Sequence, residues 1–159
     1  MNLLPTLTAL ATCLCAAIED SGAPVCWCGV VPGAGDPPAD LVGESSGGIC
    51  GVGYVRMPLA YPSDSVGVQA AVLGSEPTNW GMDVEVGILR PIELDEDIPD
   101  EAVLLLAVER QMSDMDLAKN AILCCDAIPK RDLILSAFTP YGPLGGVLGG
   151  YWTVHIQVS

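Results

Sequence analysis

The chain is short of basic residues and almost without histidine. Six Lys and Arg stand against 20 Asp and Glu, with one His, for a formal net charge of −14. Nucleic-acid binding rests on cations that neutralise phosphates, so a role in reading DNA bases is excluded. A wall of like charge that DNA slides past without arrest is compatible with the balance, and so is plain solubility. Catalytic signatures are missing as well. No Gly-x-x-x-x-Gly-Lys-Ser/Thr loop occurs, so P-loop nucleotide hydrolysis has no support. No Gly-x-Ser-x-Gly elbow occurs either. The run Gly145-Gly146-Val147-Leu148-Gly149-Gly150 is glycine-rich. It joins two strand-like segments, whereas a phosphate cradle needs a helix after the loop. Ser-His catalysis would have to recruit His155 from inside a strand, and a thiol hydrolase pairing Cys50 or Cys124 with His155 has no local pattern behind it. The expectation is a non-enzymatic chain with no cofactor.

Charge is also absent from Met1 to Ile18, and no Lys or Arg precedes Arg56. A secretion signal needs a basic start, and the faint lipoprotein-like Leu10-Ala11-Thr12-Cys13 lacks one too. The stretch is shorter than the ~20 apolar residues of a bilayer span. Leu3, Leu7, Leu10, Leu14 and Ile18 recur at helical spacing, widened by Leu4 and Ala11. They predict a buried amphipathic helix from about 4 to 18.

Seven cysteines are present: Cys13, Cys15, Cys26, Cys28, Cys50, Cys124 and Cys125. Their odd number and the missing export signal argue against a secreted disulfide framework. Cys13/Cys15 and Cys26/Cys28 are C-x-C pairs, not the C-x2-C knuckles common at zinc sites. No metal site is expected. A metal module built on Cys13, Cys15, Cys26, Cys28 and Cys50 is the alternative that metal analysis would detect. The expected state is reduced thiols packed in the interior. Cys26 and Cys28 would be the first to bridge if particles were oxidised outside a cell.

What the sequence does contain suits one domain over 1–159, half hydrophobic and 16% charged. Gly22 and Pro24 close the first helix, and 22–48 reads as a long Gly/Pro-rich loop, with Val25–Val31 able to form a short strand. Residues 49–61 alternate as a strand that Pro58 and Pro62 bend or push to an edge. Residues 80–92 alternate with Met82, Val84, Val86 and Ile88 on one face and Asp83 and Glu85 on the other, as in an antiparallel sheet. The acids Asp95, Glu96, Asp97, Asp100 and Glu101, with Pro99, suit a helix start; no EF-hand spacing accompanies them. A second helix follows from about 100 to 127. Its apolar stripe is Leu104, Val108, Met112, Met115, Ala118, Ile122 and Cys125, ended by Pro129. Two strands, 132–138 and 151–159, flank an extended Pro/Gly loop at 139–150. The order α-β-β-α-β-β predicts an α+β domain with two helices on one face of an antiparallel sheet.

Several segments together resemble a known family. They are Cys50-Gly51-Val52-Gly53-Tyr54-Val55-Arg56 with Tyr61-Pro62-Ser63, then Asp83-Val84-Glu85-Val86-Gly87-Ile88-Leu89-Arg90-Pro91. Cys124-Cys125 near a helix end follows, then Thr139-Pro140-Tyr141-Gly142-Pro143-Leu144-Gly145-Gly146 and Gly150-Tyr151-Trp152-Thr153-Val154. Their order and spacing are similar to those of the small neck proteins of long-tailed phages (siphophages) of actinobacteria, the tail terminators or head-to-tail connectors. The resemblance covers most of the chain from Cys50 onward. It implies a tail-terminator-like α+β subunit in a hexameric ring that ends the tail tube and joins it to the head connector. A stopper or adaptor ring of the same neck is the alternative. Partners would be further copies of the chain, the tail tube protein and the connector or stopper proteins, with no membrane. DNA would only pass through the lumen, where six copies at −14 each carry −84 formal charges. The place is the virion, after assembly in the host cytoplasm. The expected contacts are Thr139, Pro140, Tyr141, Gly142, Pro143, Leu144, Gly145 and Gly146, with Trp27 and Pro37 of the 22–48 loop.

Overall fold

A computed structural model describes residues 2–45, 48–70, 79–92 and 100–159. Helix α1 spans Leu4–Asp20 and buries Leu7, Leu10, Ala11, Leu14 and Ile18, the stripe that its spacing demands. Pro5 sits in its first turn, where a missing N–H costs nothing. Strand β1 (Trp27–Val30), a 3₁₀ turn (Ala39–Leu41), β2 (Gly43–Ser45) and β3 (Gly48–Cys50) follow. Then come β4 (Val52–Ser65), β5 (Val68–Gln69) and β6 (Trp80–Pro91), α2 (Glu101–Leu123), a second 3₁₀ turn (Lys130–Asp132), β7 (Leu133–Leu144) and β8 (Val147–Val158).

The protein is α+β, with a six-stranded sheet and two helices among the described residues. The sheet runs β1-β4-β6-β8-β7, and β5 pairs with β4. It is mixed, not antiparallel throughout, because β1 lies parallel to β4. Such a pair needs a crossover, which lies between Val30 and Val52; the 22–48 segment expected as loop thus carries β1, β2 and most of that crossover. The order α-β-β-α-β-β is corrected accordingly. The 139–150 loop is corrected too: β7 and β8 run on through it to a turn at Gly145-Gly146. Both glycines have positive φ, 58° and 75°, which a tight hairpin turn requires. Pro140 and Pro143 do not break β7, because an edge strand has one side with no ladder to lose.

Alternation along β6 sorts the molecule into two faces. Met82, Val84, Val86 and Ile88 join Val55, Val154, Ile156 and the α1 and α2 side chains Leu10, Leu14, Ile18, Ala118 and Ile122 in the main core. A second cluster, Val31, Val52, Tyr54, Leu89 and Val147, lies apart from it, with Ala39 and Val42 from the 22–48 segment packed on it. The register of β4 shifts between Arg56 and Leu59, across Pro58, so the bend read from the sequence is a β-bulge.

The expectation of reduced thiols is overturned. Cys13–Cys125, Cys15–Cys28 and Cys26–Cys50 are disulfide-bonded, with Cα separations of 5.7, 5.7 and 5.5 Å, and Cys124 is free and exposed. A C-x-C pair cannot easily bridge to itself, but here each of its two thiols meets a different neighbour. Partners 13 to 112 residues away in sequence are invisible to local spacing.

Candidate interaction site

Helix α2 begins with a cap. Asp100 accepts a hydrogen bond from the Ala102 amide at 3.2 Å, and Glu101 adds charge to the first turn. That part of the acidic-start expectation holds, while Asp95, Glu96, Asp97 and Pro99 lie outside the described residues. The second half of the helix is anchored. Asp114, Ala118, Ala121 and Ile122 are buried, and Trp152 Nε1 donates to the Met115 carbonyl at 2.8 Å. Arg90 of β6 clamps Asp114 with two bonds, 2.6 and 2.9 Å, and its other donors reach the Ala23 and Pro24 carbonyls. Planar, bidentate pairing of this kind fixes geometry as well as charge.

The first half of α2 is different. Val103, Leu105, Leu106, Val108 and Met112 are all exposed, Leu106 by 66% and Met112 by 57%. The expected core stripe is therefore corrected at Val108 and Met112, which are open to solvent. Between them and the end of β6 lies a cleft of about 650 Å³, walled by Val103, Leu106, Ala107, Pro91, Ile92 and Leu148. Arg110 and Gln111 line it as well. Gln111 Nε2 donates to the Gly149 carbonyl, while Arg110 makes no ion pair among the described residues. A helix whose exposed turns are this apolar is a contact surface more than a solvated one.

The sequence-derived contact residues scatter around this site. Leu144 and Gly145 are exposed at the β7–β8 tip, and Gly146 lies beside Ile92 at the cleft's end. Thr139, Pro140, Gly142 and Pro143 are exposed along edge strand β7, and Tyr141 is half-buried against the second cluster. Trp27 is 40% exposed on β1, at the opposite edge of the sheet. Pro37 is buried and offers a partner little surface. The exposed turns of α2 were missed because their apolar residues read as core. The signal was present: Val103-Leu104-Leu105-Leu106 places apolar groups all round the helix, which one buried stripe does not need.

The far face of the sheet carries a polar network. Arg56 is 3% exposed; it pairs with Glu85 and donates to the Gly35 and Asp36 carbonyls, each at 2.6 Å. Its guanidinium also lies 5.8 Å from the Tyr54 ring centre. Further along, Asp83 Oδ1 accepts from Tyr61 at 3.0 Å and faces His155 Nδ1 at 2.7 Å. Burial, then the bond to Asp83, pushes the Tyr61 hydroxyl up to about 12, and burial pushes Tyr54 up as well. Tyr54 and Tyr61 lie over their cross-strand partners Gly87 and Gly81, where any Cβ would strike the ring.

His155 is thus held by an acid rather than loose in solvent. Cys124 is the free, exposed C-cap residue of α2, and Cys50 is bridged to Cys26. The five cysteines of the alternative metal module do not converge, since each is bonded within one of three separate pairs. No helix among the described residues is long and apolar enough to cross a membrane. No protein-family model matches the chain, and no curated protein matches it either.

Proposed function

We propose that this chain is a structural subunit of the neck of a long-tailed phage, a tail terminator. It forms a ring, hexameric by resemblance, that ends the tail tube and joins it to the head connector, with DNA passing through the lumen. In this reading the subunit has a tail-terminator-like packing, both helices on one face of the sheet, and works without catalysis. It is assembled in the host cytoplasm and stays in the virion.

The observation that carries the reading is the exposed apolar half of α2 beside its cleft. Burying Leu105, Leu106, Val108 and Met112 against a neighbouring copy would remove them from water at roughly 25 cal/mol for each Å² of apolar area. The contact would be heterologous, since such contacts close into rings when the rotation permits. A net charge of −14 per copy suits a lumen through which DNA moves without sticking.

The test is the mass of the purified full chain in solution, by light scattering, for the native protein and for the double substitution Leu106→Glu, Met112→Glu. The native chain is expected as a ring of several copies. The doubly substituted chain, folded by circular dichroism, is expected as a monomer. A native chain that stays monomeric at high micromolar concentration contradicts the reading.

A further inference from the structure

The three bridges differ in accessibility and in what they hold. Cys13–Cys125 joins α1 to the second residue past α2; Cys125 is 1% exposed and Cys13 is half-buried. Cys15–Cys28 ties α1 to β1, and both cysteines are half-buried. Cys26–Cys50 lies at the surface, with Cys26 exposed. Its two ends are 24 residues apart and enclose the described strap of residues 27–45. That bridge turns the strap into a covalently closed loop.

Apart from the bridges, the strap is held mainly at its start, where Val30 packs on the main core, and beyond Val31 by few contacts. Strand β1 pairs with β4 over four residues, Trp27 to Val30. Arg56 grips the Gly35 and Asp36 carbonyls. Val31, Ala39 and Val42 pack on the second cluster. By contrast, α1 rests on the main core through Leu7, Leu10, Leu14 and Ile18 as well as through its bridges.

We infer that Cys26–Cys50 is a redox latch on the strap, open in a reducing medium and closed in an oxidising one, while Cys13–Cys125 is a permanent staple. Thiol–disulfide exchange depends on access to the sulfur under attack. Opening proceeds with a small thiol as reductant. Its thiolate bonds to the Cys26 sulfur, the S–S bond breaks, and the released Cys50 thiolate takes up a proton. A second small thiol then displaces Cys26 from the mixed disulfide, and the small molecule leaves as its own disulfide. Two electrons pass from the two small thiols to the bridge. Closure is the reverse, with a small disulfide as oxidant. The cytoplasm keeps thiols reduced and the outside does not, so a chain that meets both would hold its strap loose first and latched later. The latch does not require the ring.

The experiment uses the oxidised full chain. Reduced glutathione is added in pulses, free thiols are alkylated, and the labelled peptides are weighed. In parallel, an endoprotease that cuts after acidic residues probes Asp36 and Asp40, both exposed on the strap. Cys26 and Cys50 are expected to label at least ~10-fold faster than Cys13 and Cys125, as access dictates. Strap cleavage should rise by about the same factor while the circular dichroism stays unchanged. The double substitution Cys26→Ser, Cys50→Ser should be cut fast with or without glutathione. Cys13→Ser, Cys125→Ser should keep the glutathione dependence. The latch is overturned if all pairs open together, if cleavage ignores the labelling of Cys26, or if the Cys26→Ser, Cys50→Ser chain is cut as slowly as the oxidised native one.

Discussion

At the scale of single residues, Arg56 connects the most. One buried guanidinium joins β4 to Glu85 of β6, to two carbonyls of the strap and to the Tyr54 ring. Breaking such a pair leaves a buried carboxylate uncompensated, so Arg56→Ala should cost roughly 3 kcal/mol. Urea unfolding at neutral pH measures it, and strap cleavage should quicken in the same variant. Tyr61 gives a pH prediction. Its folded-state pKa, about 12, lies above the ordinary value of 10.0. The unfolded chain therefore loses that proton first as pH rises, and stability falls from about pH 10 upward until the folded hydroxyl also ionises. Tyr54, raised in the same direction, steepens the fall. Tyr61→Phe should flatten part of it, read as the urea midpoint followed from pH 8 to 11. None of these pairings was legible in the sequence. Alternation put Asp83 and Glu85 on the wet side of β6, but their partners Tyr61, His155 and Arg56 come from strands whose register only the folded sheet fixes.

At the scale of elements, periodicity was a reliable guide where one face is buried and the other wet. Helix α1 and strand β6 follow from their repeats to within two residues at each end. It failed where apolar residues of an element stay exposed. The first half of α2 continues the helical stripe of its second half, so Val108 and Met112 read as core, and only the all-round apolar run Val103-Leu104-Leu105-Leu106 signalled otherwise. Pro and Gly misled in a different way. At 139–150 they mark an edge strand and a two-residue turn rather than a loop, since only topology tells which strand has a free side. The consequence for experiment is direct. Deleting 140–149 would remove Val147 and Gly149, both buried, so it would damage the fold itself. Leu144→Asp is the cleaner probe of the hairpin tip. Leu144 is exposed, so stability should change by less than about 0.5 kcal/mol. Any contact the tip makes in the assembled particle should be lost, as reduced capping of tails in a complementation assay.

At the scale of the whole molecule, charge and shape point the same way. The chain is acidic, net −14, with exposed apolar residues on the first half of α2 and an edge strand at β7, and under the proposed function these would be the parts of a repeating wall. DNA should show no retention by the purified protein at 50 mM salt, because a surface short of free cations releases no counterions on contact. A gel-shift titration checks it. The class of the fold was legible from element order, but the parallel β1 and the three bridges were not. Both arise from residues that meet only once the crossover is made. The central claim is that copies of this chain meet through the exposed half of α2 around a pore. Electron microscopy of the purified full chain tests it most directly. The account predicts closed rings, six-fold by resemblance, with the first turns of α2 between subunits. Single, unassociated particles at every concentration, or an assembly that leaves those turns in solvent, would contradict it.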